Sequence, residues 1–409
     1  MQRNWLPENS ESNDGHRATL DWIESIAQQL KNLMNNLTIS KPWWEHLVPK
    51  TMVPRRREVE KLLNRFVKSL PYGLEWAKVA ATPKGLFRLK VGNIIPVVHL
   101  TFIEGHPGFV APLQTFKLGH RTVSREAEYL SGKALAEDEH VMQPLVAIEL
   151  VTDPLYVAAA AAGKLKIDET KIVKPSQIFS IPANLLLSPS HSPEIAYVLY
   201  QHIFGNGSSY PHDGFFYVGV TKRSWQKRWL EHKRAIETGS HLLFHRRFRE
   251  EAERGRITYI NHKVMGVTDN LESLYAAEEF LVEGHWDDER RLNMIPGGKS
   301  GLRYLRENGL LEKSVVPLPD ERYKIVDKWI RENPRKGLPA PWVAEKWKDN
   351  DWAIAQICGR DGRLSVEQVR AIRELAKKHN AEEIYERIGA KDVAQVTRVL
   401  DGRTYVRVD

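Results

Sequence analysis

Two stretches rich in residues that interrupt helices and strands are expected to divide this chain into separately packed units. The first extends from Ile181-Pro182 to Ser192-Pro193 and reads as a linker. The second extends from Val315 to Asp351, with breakers at Pro334, Pro339 and Pro341 and one short helix expected over about Glu321 to Arg331. At 409 residues, and taking roughly 150 residues per domain, two or three domains are expected. The divisions follow: an N-terminal helical segment over residues 1–40, an α+β domain over 41–190, a second mixed domain over 194–310, a linker with short helices over 311–360, and an all-α unit over 361–409. The fold class is α+β and multidomain.

Composition excludes several classes. Charged residues make up 27% and hydrophobic residues 42%, the balance of a packed globular chain and not of a disordered or collagen-like one. The longest apolar run, Leu155 to Ala162, is far short of the roughly 20 residues that cross a bilayer, so no membrane partner is expected. The opening Met1-Gln-Arg-Asn-Trp5 is polar and shows no apolar leader. The single cysteine, Cys358, excludes an intramolecular disulfide and a thiolate zinc site within one chain, and a reducing, cytoplasmic compartment is expected.

The net charge of +8 is unevenly placed. Twelve Lys/Arg stand against four Asp/Glu from Lys41 to Lys90, and eleven against five from Val220 to Arg256. Two basic segments in an otherwise near-neutral chain raise the expectation of a polyanionic partner, although either could be only a solvated face.

Before the first breaker stretch, Trp22, Ile23, Ile26, Leu30, Leu33 and Met34 recur at helical spacing, which predicts a helix over about 20–37. A basic helix follows over about Arg57 to Leu70. Strand-like runs begin at Gly85 and Asn93, and a third spans Leu145 to Val151. The carboxylates and histidines here are scattered and show no metal-ligand spacing.

The central unit is richer. Tyr197-Val-Leu-Tyr200 and Phe215-Phe-Tyr217-Val-Gly219-Val flank Gly205-Asn-Gly-Ser-Ser, a hairpin with a long connection. Ser224 caps a helix over Gln226 to Ile236, which places Arg228 and His232 four apart on one face. A helix near Glu272 buries Leu274, Ala277 and Leu281, and Glu278 falls inside that pattern. A carboxylate there must be paired, protonated or holding a metal. Leu292-Asn293 and Pro296-Gly-Gly298 close the unit in a sharp turn.

In this order and at this spacing, residues 195–300 resemble the GIY-YIG nuclease superfamily. Val198-Leu-Tyr200 stands where the family has Gly-Ile-Tyr, and Tyr217-Val-Gly219 where it has Tyr-Ile-Gly; valine at 198 is the one departure. Lys227-Arg228-Trp229 and Glu231-His232 match its arginine and histidine helix, Gly239-Ser-His241 a further histidine position, Glu278 its metal-binding glutamate, and Asn293 its terminal asparagine. The resemblance implies a small nuclease domain of short antiparallel or mixed sheet flanked by helices. It implies catalytic roles for Tyr200, Tyr217, Arg228, His232, Glu278 and Asn293, with one Mg²⁺ or Mn²⁺ held by Glu278. Arg228 would grip the scissile phosphate, a tyrosine would orient or deprotonate the water, and His232 would relay the proton. Lys222, Arg223, Lys227 and His241 would contact DNA. Glu279 is an alternative ligand by register, and His241 with His245 forms a helical pair that without further ligands is ordinarily surface.

At the C-terminus, Ser365-Val-Glu-Gln368 is a capping box that opens a helix. A shorter helix ends at Gly389, and a third carries Val393, Val396, Val399 and Leu400 inward. This resembles a helix-turn-helix domain, which implies that Gln395, Thr397 and Arg398 face DNA. The whole reads as a metal-dependent DNA endonuclease of homing or restriction type acting on double-stranded DNA in a bacterial or phage-infected cell, associated with the nucleoid. One site per chain makes a homodimer on DNA the simple route to a double-strand break. A DNA-binding regulator that keeps the nuclease fold, and a structure-selective repair nickase, are the alternatives.

Overall fold

The computed structural model describes residues 37–409 apart from 70–71, 83–84, 91–96, 107–108, 112–125, 127, 131, 133–138, 164–167, 190–191, 211–212, 285, 335, 341–344 and 360–361. The helix expected over 20–37 lies outside the described residues, Leu37 excepted. The fold is mixed α and β, as the helical spacings and strand-like runs implied. It forms two compact units, one ending at Glu332 and the other spanning Asn333–Asp409. No helix among the described residues is long and apolar enough to cross a membrane.

In the first unit, α1 (Lys41–Leu47), α2 (Arg56–Ser69) and α3 (Gly73–Ala80) precede the strands. The basic helix expected from about Arg57 is α2: Val59, Leu62, Leu63, Phe66 and Val67 recur on one face and are buried, leaving its charges outside. Then come β1 (Phe87–Lys90), β2 (Val97–Ile103), β3 (Phe109–Ala111), β4 (Glu139–Met142), β5 (Leu145–Val151), α4 (Pro154–Ala161), β6 (Ser176–Pro182) and α5 (Ala183–Leu187). They are followed by β7 (Tyr197–Gly205), β8 (Phe215–Thr221), α6 (Trp225–Glu237), α7 (Leu243–Glu253), β9 (Tyr259–Thr268), α8 (Leu271–Gly284), α9 (Gly298–Glu307) and α10 (Arg322–Glu332).

The linker expected over 181–193 does not separate two domains. Strands β3-β2-β5-β6-β9-β7-β8 form one seven-stranded sheet, and β6 pairs in parallel with β9 across the expected boundary. The prolines are accommodated because Pro182 ends β6 at the sheet margin and begins α5, where no ladder hydrogen bond is lost. Residues 41–190 and 194–332 therefore share one core. Leu145, Ala147 and Ile178 pack in the same cluster as Leu199, Val218, Leu274 and Leu281.

Strand β9 is the common rung, and its sequence does not alternate cleanly. Asn261, His262 and Lys263 interrupt the apolar pattern, yet all three are buried. Each has a partner, as buried polar groups require. Asn261 accepts from the Ser180 hydroxyl at 3.0 Å, His262 stacks on Trp225 at 4.7 Å, and Lys263 ion-pairs with Glu126. The β7–β8 hairpin lies antiparallel against β9, so β8-β7-β9 is a three-stranded antiparallel section with α6, α7 and α8 around it. The register shifts between Leu199 and Tyr200, a bulge at the residue that carries the first site tyrosine.

The second unit contains α11 (Asn350–Ile357), α12 (Val366–Leu375), α13 (Ala381–Ile388) and α14 (Val393–Leu400). It begins earlier than the expected residue 361, because Ile354, Ile357 and Cys358 join the core of Val369, Ile372, Ile384, Val396 and Val399. Its ends are set locally. Ser365 and Gln368 form the expected capping box, Asn380 and Asp392 cap the next two helices, and Gly389 ends α13 at φ 67°.

Because β9 loses its β6 partner when the chain is cut near residue 190, the excised segment 194–332 is expected to lack a cooperative thermal transition. Residues 333–409 alone are expected to melt cooperatively. Circular dichroism melting of the two fragments checks both.

Candidate active site

Six residues named from sequence, far apart in the chain, come together around the Tyr200 and Tyr217 rings. Tyr200 stands on β7 and Tyr217 on β8, and the ring centroids are 6.4 Å apart. Gly219 permits this. It faces Tyr200 across the β7–β8 ladder, and a Cβ there would lie 2.6 Å from the Tyr200 hydroxyl and ring. The Tyr-Val-Gly triplet thus places one tyrosine and leaves room for the other.

Ser224 caps α6, accepting from the Lys227 N–H, and the helix presents Arg228 and His232 to these rings on adjacent turns. The side chain of Gln226 donates to the carbonyls of His46 and Val48, and Trp225 to that of Leu47, so α1 fixes the start of α6. Arg228, only 4% exposed, donates to Glu231 at 2.6 Å and hydrogen-bonds Tyr200. Its Nε is buried with no hydrogen-bond partner. Burial opposes its charge, but Tyr200, Tyr217 and Glu231 outweigh burial and hold the cation firmly. Burial likewise works to raise the Glu231 carboxyl, and Arg228 and Arg223 overcome it and keep it below its ordinary value.

A directed chain of hydrogen bonds leaves Tyr200. The Tyr200 hydroxyl is 3.4 Å from His232 Nε2, His232 Nδ1 is 2.8 Å from His245 Nε2, and His245 Nδ1 is 2.8 Å from the Ser240 hydroxyl. Ser240 donates to Asp327 of α10 at 2.8 Å. A carboxylate only accepts, so Asp327 fixes every proton upstream. Ser240 then accepts from His245 Nδ1–H, His245 Nε2 accepts from His232 Nδ1–H, and His232 Nε2 is left to accept from Tyr200. Both imidazoles are neutral. Burial and then Arg228 push His232 well below its usual value, and the same two causes push His245 down to about 4. Tyr217 is pushed well above the usual phenol value, by burial first and then by Tyr323 and Tyr200. As it lies, Tyr217 is a neutral phenol and not a base.

Glu278 projects from α8 and is 1% exposed. Its Oε2 accepts the Gly298 N–H at 2.9 Å and pairs with the guanidinium of Arg322, also 1% exposed. Arg322 donates further to the carbonyls of Gly298 at 3.1 Å and Pro319 at 3.0 Å. Hard divalent cations take about six oxygen ligands. Among the described residues no three His, Cys, Asp or Glu side chains group to hold a metal. With a guanidinium against the one carboxylate, the donors as they lie here do not fit Mg²⁺ or Mn²⁺. Glu279 is occupied elsewhere, accepting from the Ser300 hydroxyl at 2.6 Å and N–H at 3.0 Å.

Asn293 works on backbone. Its Oδ1 accepts the Val218 N–H at 3.0 Å, and its Nδ2 donates to the Val218 carbonyl at 2.8 Å and the Tyr323 hydroxyl at 2.7 Å. It clamps β8 beside Tyr217. The Tyr323 ring sits 5.0 Å from that of Tyr217.

The other named residues lie outside this cluster. Lys222, Arg223 and Lys227 line a cleft of about 1080 Å³ between α1 and the start of α6, with Lys50, Glu45 and Glu194. Arg223 bridges to Glu231 at 2.6 Å, and Lys222 lies 5.8 Å over the Tyr197 ring. His241 is exposed, with its backbone N–H on Asp327, and His245 is the histidine that reaches His232. In the second unit Gln395 corrects its expected role. It is buried, accepts the Lys391 N–H and donates to the Gly362 carbonyl, so it braces the turn before α14 and has no free edge for a base. Thr397 and Arg398 are exposed, with the Thr397 hydroxyl on the Val393 carbonyl and Arg398 3.9 Å from Asp392.

Arg322, Tyr323, Asp327, Ser240 and His245 were not singled out from sequence as part of the site. His245 carried a signal, since it lies four residues beyond His241 at the start of a helix. Arg322 and Tyr323 carried none, because an Arg-Tyr pair in a breaker-rich stretch reads as surface.

No family model, no curated protein and no solved structure matches this chain.

Two outcomes follow. Gly219→Ala is expected to lower stability by about 1–3 kcal/mol, the usual cost of overpacking, because its methyl meets the Tyr200 ring; chemical denaturation measures it. His245 falls to about 4 in the fold against an ordinary 6.5, and His262 to about 3. Unfolding therefore takes up protons, so the stability these neutral histidines contribute is complete above 6.5 and is lost as pH falls toward 4. His245→Asn is expected to flatten the melting-temperature decline between pH 6.5 and 4.

Proposed function

We propose that the first unit hydrolyses phosphodiester bonds in DNA as a nuclease of the GIY-YIG kind, and that basic surfaces and the C-terminal unit hold the duplex. The observation that carries this reading is the convergence of Tyr200, Tyr217, Arg228, His232, Glu278 and Asn293. They come from two strands, two helices and a closing loop, across some ninety residues of sequence, and one of them, Arg228, is a buried guanidinium with an unpartnered Nε–H. A buried guanidinium with a spare donor is suited to an anionic oxygen. The β8-β7-β9 section with its flanking helices is the kind of small sheet the resemblance leads one to expect.

In this reading Arg228 binds the scissile phosphate and stabilises the charge that develops on it. The water oxygen bonds to phosphorus as the bond from phosphorus to the departing sugar oxygen breaks. A proton leaves the water by way of the Tyr200 hydroxyl to His232 Nε2 as His232, His245 and Ser240 each pass one on toward the Asp327 carboxylate, so that no imidazole is left with a second charge beside Arg228. Tyr217, held neutral, donates a hydrogen bond to the phosphate. Asn293 holds Val218, and with it Tyr217, in place. Glu278 pairs with Arg322 and fixes that guanidinium at the Gly298 turn.

Lys222, Lys227 and Lys50 supply positive charge at the cleft beside α6. Thr397 and Arg398 offer the exposed side chains of α14. Phosphate contacts of this kind bring affinity that falls with salt.

The test is cleavage of supercoiled plasmid and of a random-sequence linear library, with Mg²⁺ and with chelator. Wild type is expected to cut. Arg228→Ala is expected to cut at least 100-fold more slowly while binding DNA within about threefold, since one preorganised charge-stabilising donor is typically worth 10²–10³ in rate. Glu278→Gln is expected to bind and not cut. Intact binding with no cutting by wild type under any condition would leave a DNA-binding regulator. Preference for bubbles or flaps over any sequence would point to structure-selective nicking.

A further inference from the structure

The cleft between α1 and the start of α6 takes no part in the cleavage chemistry, and its lining is of two kinds. One part is apolar. Trp229 is half-buried there and Leu230 is 64% exposed, with Pro49 and Leu150 also on the cleft. Beneath the surface Trp225 and His262 are stacked at 4.7 Å, and Phe179 and His262 at 5.8 Å, a stiff backing of near-parallel rings. An exposed leucine beside a partly exposed tryptophan leaves apolar surface in water that a flat aromatic ligand would cover.

The other part is charged. Lys50, Lys222, Arg223 and Lys227 line the cleft with Glu45 and Glu194. Arg223 is held by Glu231, Glu45 by Lys41 at 3.7 Å, and Lys222 lies over the Tyr197 ring. Lys50 and Lys227 are exposed and make no ion pair among the described residues. Lys227 is close enough to the His46 ring to add to burial in holding that imidazole below its usual value. His46 Nε2 is buried with no hydrogen-bond partner. A neutral imidazole with its proton on Nε2 donates to an anionic oxygen, and Lys227 beside it supplies the charge.

The cleft is preformed. Gln226 donates to the His46 and Val48 carbonyls at 3.0 and 2.9 Å, and Trp225 to that of Leu47 at 2.9 Å, which ties the end of α1 to the start of α6. Its volume of about 1080 Å³ is that of a small-ligand site and not of a groove for a duplex. It also lies one ring from the candidate active site. Trp229 packs on His202 at 5.1 Å, and His202 lies 4.6 Å from Tyr200 and 5.7 Å from His232. Neighbouring residues of α6 serve the two places, Lys227 the cleft and Arg228 the site.

We infer that this cleft receives a single nucleotide swung out of the DNA substrate, with its base against Trp229 and Leu230, its phosphate on His46 Nε2 and Lys227, and Lys50 at the rim for a flanking phosphate. The inference rests on the nuclease reading for the source of the nucleotide, but not for the chemistry that holds it. Only a base freed from its pair and its stack fits such a cleft, and freeing it costs least where pairing is already broken.

The experiment reads binding apart from cleavage. The full chain is titrated by fluorescence anisotropy, in chelator, with a paired duplex, the same duplex carrying a one-nucleotide bulge, and that bulge made abasic. The bulged duplex is expected to bind about tenfold more tightly than the paired one, within the range for stacking one base on an aromatic side chain. The abasic bulge, which bends DNA but offers no base, is expected to fall back to the paired level. Trp229→Ala is expected to abolish the preference and Trp229→Phe to keep most of it. Because Trp229 also packs on His202 and its loss puts the fold at risk, Leu230→Asp, at an exposed position, is expected to abolish the preference in a folded protein. Lys227→Gln with His46→Gln is expected to weaken the bulged duplex more than the paired one. A 5-iodouracil base in the bulge is expected to crosslink under ultraviolet light within residues 42–50 or 225–230.

Equal affinity for bulged and paired duplexes overturns the cleft as a seat for an extruded nucleotide. So does an abasic bulge that binds as well as the intact one, a preference that survives Leu230→Asp, or a crosslink confined to other parts of the chain. Thymidine monophosphate that binds tightly while the duplexes bind alike puts a free nucleotide in the cleft and overturns extrusion. Bulge preference and the expected crosslink, with no cutting by any form, keep the cleft and remove the nuclease reading.

Discussion

A carboxylate and a guanidinium, both withdrawn almost wholly from water, hold the first unit closed. Taking either ion from water alone costs several kcal/mol, and the pair is tolerated only when attraction and further hydrogen bonds offset that loss. The offsets are present: the Gly298 N–H on Glu278, and the Gly298 and Pro319 carbonyls on Arg322. They require close approach of the Pro296-Gly-Gly298 turn to α8. A Cβ on Gly297 would fall 2.5 Å from the Glu278 carbonyl oxygen, and one on Gly298, at φ 52°, 2.1 Å from that of Tyr275. Removing one member of such a pair typically costs about 3–5 kcal/mol, against a net stability of about 5–15 for an ordinary domain. Glu278, the double glycine and Arg322 are therefore one unit, and the position of α10 follows from them.

The histidines obey a second constraint. Arg228 is a buried permanent cation, and each imidazole near it would have to become a second one on protonation. Burial and that repulsion keep His232 and His202 well below their usual value. Neutrality makes a directed hydrogen-bond chain from Tyr200 to Asp327 possible, since a doubly protonated ring could accept nothing. The site thus holds two fixed cations, Arg228 and Arg322, each paired with one carboxylate, and a row of neutral donors and acceptors that runs from Tyr200 to Asp327. Its spare capacity is for an anion.

Much of this was legible in the sequence, for identifiable reasons. The β7–β8 hairpin, the Ser224 cap and the face shared by Arg228 and His232 are local, and local rules suffice for them. Glu278 inside an apolar stripe announced a buried charge in need of a partner, although the partner expected was a metal and the one found is Arg322. The continuous sheet was not legible. The breaker-rich stretch over 181–193 looks the same whether it parts two domains or turns the chain at a sheet margin. Strand β9 was hidden because its central Asn261-His262-Lys263 is buried through pairings with Ser180, Trp225 and Glu126, all remote in sequence. Gln395 misled for the reverse reason: a polar residue off the apolar stripe was expected to face solvent, and its amide is used on the Lys391 and Gly362 backbone.

The parallel pairing of β6 with β9 has a consequence for the chain as it is being made. Strand β6 is complete at Pro182, yet its neighbour does not begin until Tyr259. A ribosome adding about 5–20 residues per second needs roughly 4 to 15 s to cover that interval. Throughout it, Ile178, Phe179 and Ile181 sit on a strand with one bare edge, the kind of edge that other chains pair with. Nascent copies on one message would meet each other in that window, so the yield of folded protein is set by translation speed between residues 182 and 268 as much as by final stability.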